Sequence, residues 1–278
     1  MLVNNPNNFT IETLTGTKYN MAELGITVNS YRPSLPPVNT EKERIAGNDG
    51  SRTWGGDYGD REIKTRMTFV GRDMYDYPLL RNLIYSYFYS KNPFYIIPDE
   101  QSGKRILVRC SSEIDPDRFG DGGEIEVDFI SERLPWFESR GTSLSDMTFD
   151  SELWSFGMGL YDDMPPYEYT NQTSFVIDNI GDIDVDPRQH ELKITFQGAS
   201  TNLKIKNVTT GVEWSYTGST TSNDIITLEE GSIFEKNGLN IYPNTNRKDI
   251  TLVKGVNNFT ITGSTAFTIS FEFRFLYL

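Results

Sequence analysis

Hydrophobic and polar residues alternate with a period of two along several stretches in the first half of the chain. Ile63, Met67 and Phe69 alternate with charged and hydroxyl residues, and the pattern recurs from Ile106 to Cys110 and from Ile125 to Phe129. This period is typical of a strand with one buried face, because successive side chains point to opposite sides of the backbone. The pattern predicts a β domain in this half.

One segment of the first half has helical spacing instead. Apolar residues between Leu80 and Phe88 recur at intervals of three and four, and Pro78 suits the first turn of a helix. Asn92-Pro93 ends the pattern, because the residue before a proline is biased away from the helical conformation. The sequence therefore predicts one prominent helix among the strands.

The second half consists of short alternating stretches separated by turns rich in Gly, Asn and Thr. The clearest stretch is the last, where aromatic and aliphatic side chains occupy every second position from Phe267 to Tyr277. About seven or eight strands at such intervals predict an antiparallel β-sandwich. The predicted fold class is mainly β, with one helix in the N-terminal domain and a sandwich in the C-terminal domain.

A chain of 278 residues is long for one core and suits two domains. The run from Glu138 to Asp146 is rich in Gly, Ser and Thr and lacks periodicity, which is typical of a domain edge. We place the boundary at residue 140, which gives an N-terminal domain of residues 1–140 and a C-terminal domain of residues 141–278.

The segment from Tyr31 to Gly59 interrupts the strand pattern of the first domain. It contains three prolines and several glycines, and a structureless loop of almost 30 residues is unusual inside a compact domain. Two explanations stay open: the segment is mobile, or the region around residues 30–60 is an extended arm that becomes ordered by packing on another subunit.

The charge of the chain excludes some classes of function. Its 26 Lys and Arg residues against 39 Asp and Glu give a net charge of −13, which disfavours binding to nucleic acid phosphates. The one cysteine, Cys110, excludes an internal disulfide or a Cys-rich metal site, and we interpret it as a small buried residue. We also expect neither a signal peptide nor a membrane anchor.

Motifs that carry chemistry are weak in this sequence. The one histidine, His190, excludes mechanisms that need two imidazoles, and we interpret it as a surface turn residue. The run Asp182 to Asp186 imitates the start of a calcium loop, but Pro187 and Lys193 stand where an EF-hand needs Gly and Glu. A solvated acidic turn is favoured, with a weak calcium site left open. The sequence predicts no catalytic residue, cofactor or metal site.

Several short motifs, taken in their order and spacing, resemble those of the distal tail proteins of long non-contractile-tailed bacteriophages that infect Gram-positive bacteria. In the first half the motifs are Ile45-Ala46-Gly47-Asn48-Asp49-Gly50, Arg61-Glu62-Ile63, Ser90-Lys91-Asn92-Pro93 and Leu134-Pro135-Trp136-Phe137. In the second half they are Asn179-Ile180-Gly181, residues 192–196, residues 203–211 and the terminal strand Phe271 to Tyr277. Asn48 departs from the family pattern, which often has a basic residue there.

The resemblance implies a ring-forming N-terminal domain followed by a galectin-like C-terminal sandwich. Such proteins usually form homo-hexameric rings that join the tail tube to the host-recognition components of the baseplate and let DNA pass. The implied partners are the tail tube protein, the tape-measure protein, a tail-associated fibre or lysin and receptor-binding proteins. The implied location is the tail tip of the virion, after synthesis in the bacterial cytoplasm, and the protein is structural, not enzymatic.

Two sets of residues are candidates for roles in such a ring. Arginine and aromatic side chains often anchor interfaces, so the candidate oligomer-interface residues are Arg32, Arg44, Trp54, Tyr58 and Arg61. An acidic channel would let DNA pass without binding it, and the candidate lumen-facing acids are Asp115, Asp117, Asp121 and Glu124.

An alternative function is a carbohydrate-binding module or a glycosidase built on the sandwich. Trp154, Trp214 and neighbouring carboxylates would serve it, because aromatic faces stack on sugars and glycosidases need two acids. However, His190-Glu191-Leu192-Lys193-Ile194 departs from the His-x-Asn-x-Arg pattern of galectin sugar sites. Carbohydrate binding is therefore the less favoured hypothesis.

Overall fold

The computed structural model describes residues 5–47, 49–89, 91–148 and 151–278. The chain divides into two compact units, the first ending at Phe137 and the second beginning at Glu138. Most regular structure is β, and the described ranges contain one α-helix, so the predicted fold class is confirmed. Among these residues, no helix combines the length and the apolar character that crossing a membrane requires.

The first unit contains an antiparallel sheet, a helix and a separate two-stranded hairpin. In chain order its elements are β1 (Phe9–Thr13), β2 (Lys18–Asn20), β3 (Ile26–Pro33), β4 (Val38–Glu43), β5 (Arg52–Tyr58), β6 (Glu62–Val70), α1 (Tyr77–Phe88), β7 (Phe94–Pro98), β8 (Lys104–Cys110), β9 (Asp117–Phe119) and β10 (Gly122–Ser131). The strand β11 (Phe137–Ser139) follows at the boundary.

The sheet of the first unit has the strand order β2-β1-β7-β8-β10-β6-β3, and β9 pairs with the start of β10. Its buried face carries the alternating residues of β6, β8 and β10 that the sequence pattern predicts. The helix α1 packs on this face, where the Phe88 and Phe129 ring centroids lie 5.9 Å apart. Each such fully buried side chain contributes about 1.5–3 kcal/mol to stability.

The segment from Tyr31 to Gly59 has regular structure, which corrects the expectation of an irregular loop. It contains the end of β3 and the antiparallel hairpin of β4 and β5, in which Val38 pairs with Tyr58 and Glu43 with Arg52. Hydrophobic alternation does not identify these strands, because every residue in them is exposed. Asn48, where the sequence departs from the family motif, lies outside the described residues.

The second unit consists of short antiparallel strands. They are β12 (Glu168–Thr170), β13 (Ser174–Asn179), β14 (Leu192–Thr201), β15 (Lys204–Asn207), β16 (Glu213–Ser215), β17 (Ser219–Thr220), β18 (Ile225–Glu229), β19 (Ile233–Lys236), β20 (Leu239–Asn240), β21 (Gly255–Thr262), β22 (Ala266–Phe273) and β23 (Leu276–Tyr277). One sheet has the order β12-β22-β14-β18-β19-β20, with β17 beside the end of β14, and another has the order β13-β21-β15-β16.

Aromatic side chains join these two sheets into a sandwich. Phe271 of β22 contacts Phe259 of β21 and Phe175 of β13, with ring centroids 4.8 and 5.9 Å apart. On another part of the interface, Trp214 of β16 meets Phe234 of β19 at 5.8 Å. Because two packed antiparallel sheets define a β-sandwich, the architecture of the second unit agrees with the expected sandwich.

The last strand buries the face that alternation predicts, from Phe267 to Tyr277. It is interrupted at Arg274 and Phe275, which separate β22 from β23. The Arg274 Nη1 donates hydrogen bonds to the backbone oxygens of Ser139 and Arg140, at 2.9 and 2.6 Å. The C-terminal strand is thereby bonded to the first residues of its own unit.

Candidate assembly surface

The hairpin of β4 and β5 carries exposed apolar side chains. Val38 pairs with Tyr58 and Thr40 with Gly56, so these residues share one side of the hairpin. A Cβ built on Gly56 would accordingly lie 3.2 Å from Val38 Cγ1 and 3.5 Å from Thr40 Cγ2. Trp54 is the extra residue of a β-bulge, because Glu41 pairs with Gly55 and Lys42 with Thr53. We call the exposed residues Val38, Thr40, Trp54 and Tyr58 the aromatic face of the hairpin.

The aromatic face is open to solvent. The side chains of Trp54, Val38 and Tyr58 are more than half exposed, Trp54 at 61%. A two-stranded hairpin without further packing is marginally stable in water, and exposed apolar surface favours association. Covering this face with another chain would therefore lower the free energy.

Two contacts hold the Trp54 ring in place on the hairpin. Its Nε1 donates a hydrogen bond to Glu43 Oε2 at 2.6 Å, and the Arg52 guanidinium carbon lies 4.9 Å from the ring centroid. A side chain that is ordered before binding loses less entropy when it enters an interface. Trp54 thus has the properties of a preorganised anchor.

The end of β5 and the following Arg61 contact the last residues of the first unit. The Tyr58 ring meets Trp136 edge-on at 4.8 Å, and the Arg61 guanidinium carbon lies 4.9 Å from the Phe137 ring centroid. Trp136 and Phe137 are buried, so they form a fixed support for the strand that leaves the hairpin. These contacts determine where the aromatic face points relative to the rest of its unit.

Arg61 lies inside the first unit, contrary to the prediction that it is a surface contact. Its exposure is 2%, and its backbone N–H donates to Ser131 Oγ at 2.9 Å. Among the described residues, its Nε and Nη2 have no hydrogen-bond partner, and neither has the hydroxyl of nearby Tyr31. Burial lowers the pKa of Arg61 and raises that of Tyr31, against the smaller opposing effect that each has on the other. Arg61 is therefore a core residue.

The other candidate interface residues are exposed and lie on the hairpin or beside it. Arg32 stands near the end of β3, in register with Lys64 of β6, and Arg44 directly follows β4. With Trp54 and Tyr58, they lie in the segment that runs from the end of β3 to the end of β5. Their role in an interface stays a prediction.

The candidate lumen acids differ in how far their charge is compensated. Glu124 forms an ion pair with Arg66, whose Nε lies 2.6 Å from Glu124 Oε1, and this pair raises the pKa of Arg66. Asp117 is aligned with Glu124 across β9 and β10. Asp115 and Asp121 are exposed, and within the described ranges no ion pair engages their carboxylates. Whether these acids line a channel stays a prediction.

The acidic run at Asp182 to Asp186 is engaged by Lys254 and Arg188. Lys254 Nζ contacts Asp182 Oδ1 at 3.0 Å, and the Lys254 backbone N–H donates to Asp184 Oδ1 at 2.7 Å. Arg188 forms an ion pair with Asp186 and lowers its pKa. In the part of the chain that the structure describes, no group of three potential metal ligands converges. The acidic-turn interpretation thus accounts for these carboxylates.

Two residues with potential chemistry have structural roles. His190 is buried, and its Nδ1 accepts a hydrogen bond from the Asp186 backbone N–H at 3.1 Å, so its interpretation as a surface residue was wrong. Cys110 is half-buried, with its Sγ 3.5 Å from the carbonyl oxygen of Ser112. Burial raises the pKa of the thiol, which keeps it protonated and unreactive at neutral pH.

Trp154 and Trp214, the tryptophans of the alternative carbohydrate hypothesis, do not have accessible ring faces. Trp214 is fully buried between the sheets of the second unit. Trp154 is 8% exposed, and its Nε1 donates to the Asp146 carbonyl oxygen at 3.0 Å. Stacking on a sugar needs an accessible ring face. The structure therefore does not favour sugar binding by these two residues.

The family described as the phage tail protein RIFT-related domain matches residues 14–131. These residues include the hairpin, α1 and most of the sheet of the first unit. A comparison with curated proteins finds no match.

Among solved structures, the chain is similar to the SPP1 Dit protein, described as a paradigm of the hub adsorption apparatus in phages that infect Gram-positive bacteria. The TM-score is 0.69 at 14% identity, and the match covers 96% of this chain and 99% of that chain. Two structures of the phage p2 baseplate in its activated conformation, with Sr and with Ca, match 96% of this chain and 97% of theirs. Their identities are 8% and 9% and their TM-scores 0.44 and 0.43.

The resemblance to distal tail proteins is thereby confirmed. Residues 14–131 match the model of the phage tail protein RIFT-related domain family, and the chain as a whole has the fold of the SPP1 Dit protein.

Proposed function

We propose that this protein is the structural hub of a phage tail tip, a hexameric ring that joins the tail tube to the host-recognition components of the baseplate. The family match and the Dit fold support this role. The observation that carries the proposal is the exposed aromatic face of the hairpin. It lies within the matched domain and is suited to contact a neighbouring copy.

The hairpin is the arm through which neighbouring copies associate. Its aromatic face packs on a different surface of the next copy, with exposed Arg32 and Arg44 beside it. Such a head-to-tail contact repeats from copy to copy and closes into a ring when the rotation permits. The covered hairpin then gains the packing that it lacks in one chain.

The channel of the ring is lined by acidic side chains, among them Asp115, Asp117 and Asp121. Each chain contributes a net charge of −13, and negative walls repel the phosphates of passing DNA. Glu124 adds less to this field, because Arg66 compensates its charge. DNA therefore passes without binding.

The ring has a scaffolding role and catalyses no reaction. Its partners are the tail tube protein, the tape-measure protein, a tail-associated fibre or lysin and receptor-binding proteins. Its C-terminal unit, residues 141–278 in the sequence-based division, is a galectin-like sandwich. The protein is made in the cytoplasm of the infected bacterium and ends at the tail tip of the virion.

Light scattering coupled to size exclusion tests the assembly, with the chain alone and mixed with the tail tube protein of the same phage. Six copies of the 31.7 kDa chain have a mass of about 190 kDa, which we expect in at least one of the two samples. A chain that stays monomeric in both samples contradicts the proposal. Electron microscopy of the ring tests the channel, and walls lined by basic residues would refute the assignment of the acids.

A further inference from the structure

A cavity of about 380 Å³ lies in the second unit, in the segment that precedes β12. Among the described residues, its lining is mainly aromatic, aliphatic and thioether side chains, including Met147, Trp154, Phe156, Met158 and Tyr161, with Asp162 as the one charged residue. Pockets that bind small molecules start at about 300 Å³ and have such apolar walls with few polar groups. The cavity thus has the size and lining of a ligand site.

The inner wall of the cavity is held rigidly. The Trp154 ring packs 6.0 Å from Phe275 and against Gly141, where a Cβ would come within 2.5 Å of Trp154 Cζ2. The Tyr277 hydroxyl donates to the Met158 carbonyl oxygen at 2.9 Å. Because these contacts fix the wall of the cavity, binding would cost little reorganisation.

Carboxylates lie at the cavity and behind it. From Gly141 to Pro187 the chain contains ten Asp and Glu residues and no Lys or Arg, and two of these acids, Asp182 and Asp186, are paired with Lys254 and Arg188. The Tyr161 hydroxyl donates to Oδ2 of buried Asp178 at 2.6 Å, which places a carboxylate behind the ring. This hydrogen bond raises the pKa of Tyr161 to about 12, so the ring itself stays neutral. The carboxylates of Asp162 and Asp178 therefore favour a cation over a neutral or anionic ligand.

We propose that this cavity binds an alkylammonium cation. The exposed rings of Phe156 and Tyr161 have faces that attract such cations, the thioethers of Met147 and Met158 are polarisable, and apolar walls accept methyl or methylene groups. Asp162 supplies the opposite charge at the cavity, and Phe156, which is 92% exposed, lies beside it. The cation is either the trimethylammonium group of a choline-type molecule or the lysine side chain of a protein partner.

Calorimetric titration of the full chain tests this site with three small probes. Choline represents the first source, n-butylammonium represents a lysine side chain, and 3,3-dimethylbutan-1-ol is the neutral isostere of choline. We expect saturable binding of at least one cation, about tenfold tighter than the neutral isostere. The cation that binds more tightly identifies the source. Equal binding of choline and its isostere, or no binding of either cation at about 10 mM, overturns the proposal.

Variants of the cavity separate this site from a general attraction of cations to an acidic protein. Phe156→Ala, Tyr161→Leu and Asp162→Asn each weaken cation binding by about three- to tenfold, whereas Tyr161→Phe keeps the ring and retains binding. The controls are Tyr75→Ala, an exposed tyrosine of the first unit, and Glu168→Gln, an exposed carboxylate of the same acidic run. The proposal fails if the controls weaken binding as much as the cavity variants do. The outcome does not depend on ring assembly, because it is measured on the free chain.

Discussion

The Tyr58 ring packs edge-on against Trp136, with the ring centroids 4.8 Å apart and the ring planes at 73°. This pair joins the end of the hairpin to the segment that leaves the first unit. Three residues after Tyr58, Arg61 lies over the ring of Phe137, the next residue after Trp136. Two neighbouring aromatic residues thus hold both the exposed hairpin and the buried arginine that follows it.

Replacing Tyr58 by Ala should loosen the hairpin at its root. An aromatic pair of this geometry contributes about 0.5–1.5 kcal/mol beyond the area that it buries. We expect faster amide hydrogen exchange from Val38 to Tyr58, measured by mass spectrometry. Tyr58→Phe keeps the ring and should exchange like the original protein. Unchanged exchange in Tyr58→Ala would show that other contacts hold the hairpin.

Replacing Trp54 by Ala should impair assembly without unfolding the chain. The ring is largely exposed in one copy, so its removal should change the free energy of unfolding by less than about 0.5 kcal/mol. As an anchor of an interface it should cost about 2 kcal/mol or more in association. Light scattering measures the mass of the assembly, and thermal unfolding measures the stability of the chain.

Tyr75→Ala is the matched control for Trp54→Ala, since Tyr75 is 81% exposed and lies outside the hairpin. This variant should form the oligomeric ring as the original protein does. If Trp54→Ala assembles as well as this control does, Trp54 is not part of the interface.

Replacing Arg61 by Met should preserve or increase stability. The buried guanidinium lacks partners for Nε and Nη2 among the described residues, and such a group carries an uncompensated desolvation cost. Methionine fills a similar volume without that cost. Arg61→Ala instead leaves a cavity and should destabilise the chain by about 2–5 kcal/mol. Chemical unfolding distinguishes the two variants, and equal losses would show that the charge itself is needed.

Stability should fall at alkaline pH because of buried tyrosines. Burial raises the pKa of Tyr31, Tyr167 and Tyr277 in the folded chain. In the unfolded chain these phenols release their protons near pH 10, so the unfolded state binds fewer protons above that pH and is favoured. The stabilisation is complete below about pH 10 and is lost as the pH rises further.

The melting temperature between about pH 8 and 11 measures this loss. Tyr31→Phe should reduce the dependence on pH, because it removes one buried ionisable group while keeping the ring contact with Phe9. Tyr75→Phe removes an exposed hydroxyl and should leave the dependence unchanged. A steep alkaline loss that Tyr31→Phe does not reduce would assign the effect to other groups.

Local sequence patterns were sufficient to predict the elements that bury one face. In β6 and β10, the alternation of apolar and polar residues identified the buried side, and the helix followed from three- and four-residue spacing. The last strand, from Phe267 to Tyr277, was equally clear. Alternation predicts such elements because the hydrophobic effect acts on each side chain according to the face that it occupies.

The hairpin was missed, although Trp54, Gly56 and Tyr58 recur at every second position of β5. Every residue of the two strands is exposed, so polar residues and glycines occupy positions that a half-buried strand fills with apolar ones. A search for a two-residue period limited to aromatic residues and glycine could have found β5.

The sequence by itself determined the fold class, the helix, the buried faces of the main strands and the resemblance to phage tail proteins. Only the tertiary structure decided that Arg61 and Trp214 are buried, that Glu124 is paired with Arg66, and that the aromatic face of the hairpin is exposed. The reason is physical: periodicity reports the environment of a whole element, whereas the burial of a single polar or aromatic side chain depends on residues far away in the chain.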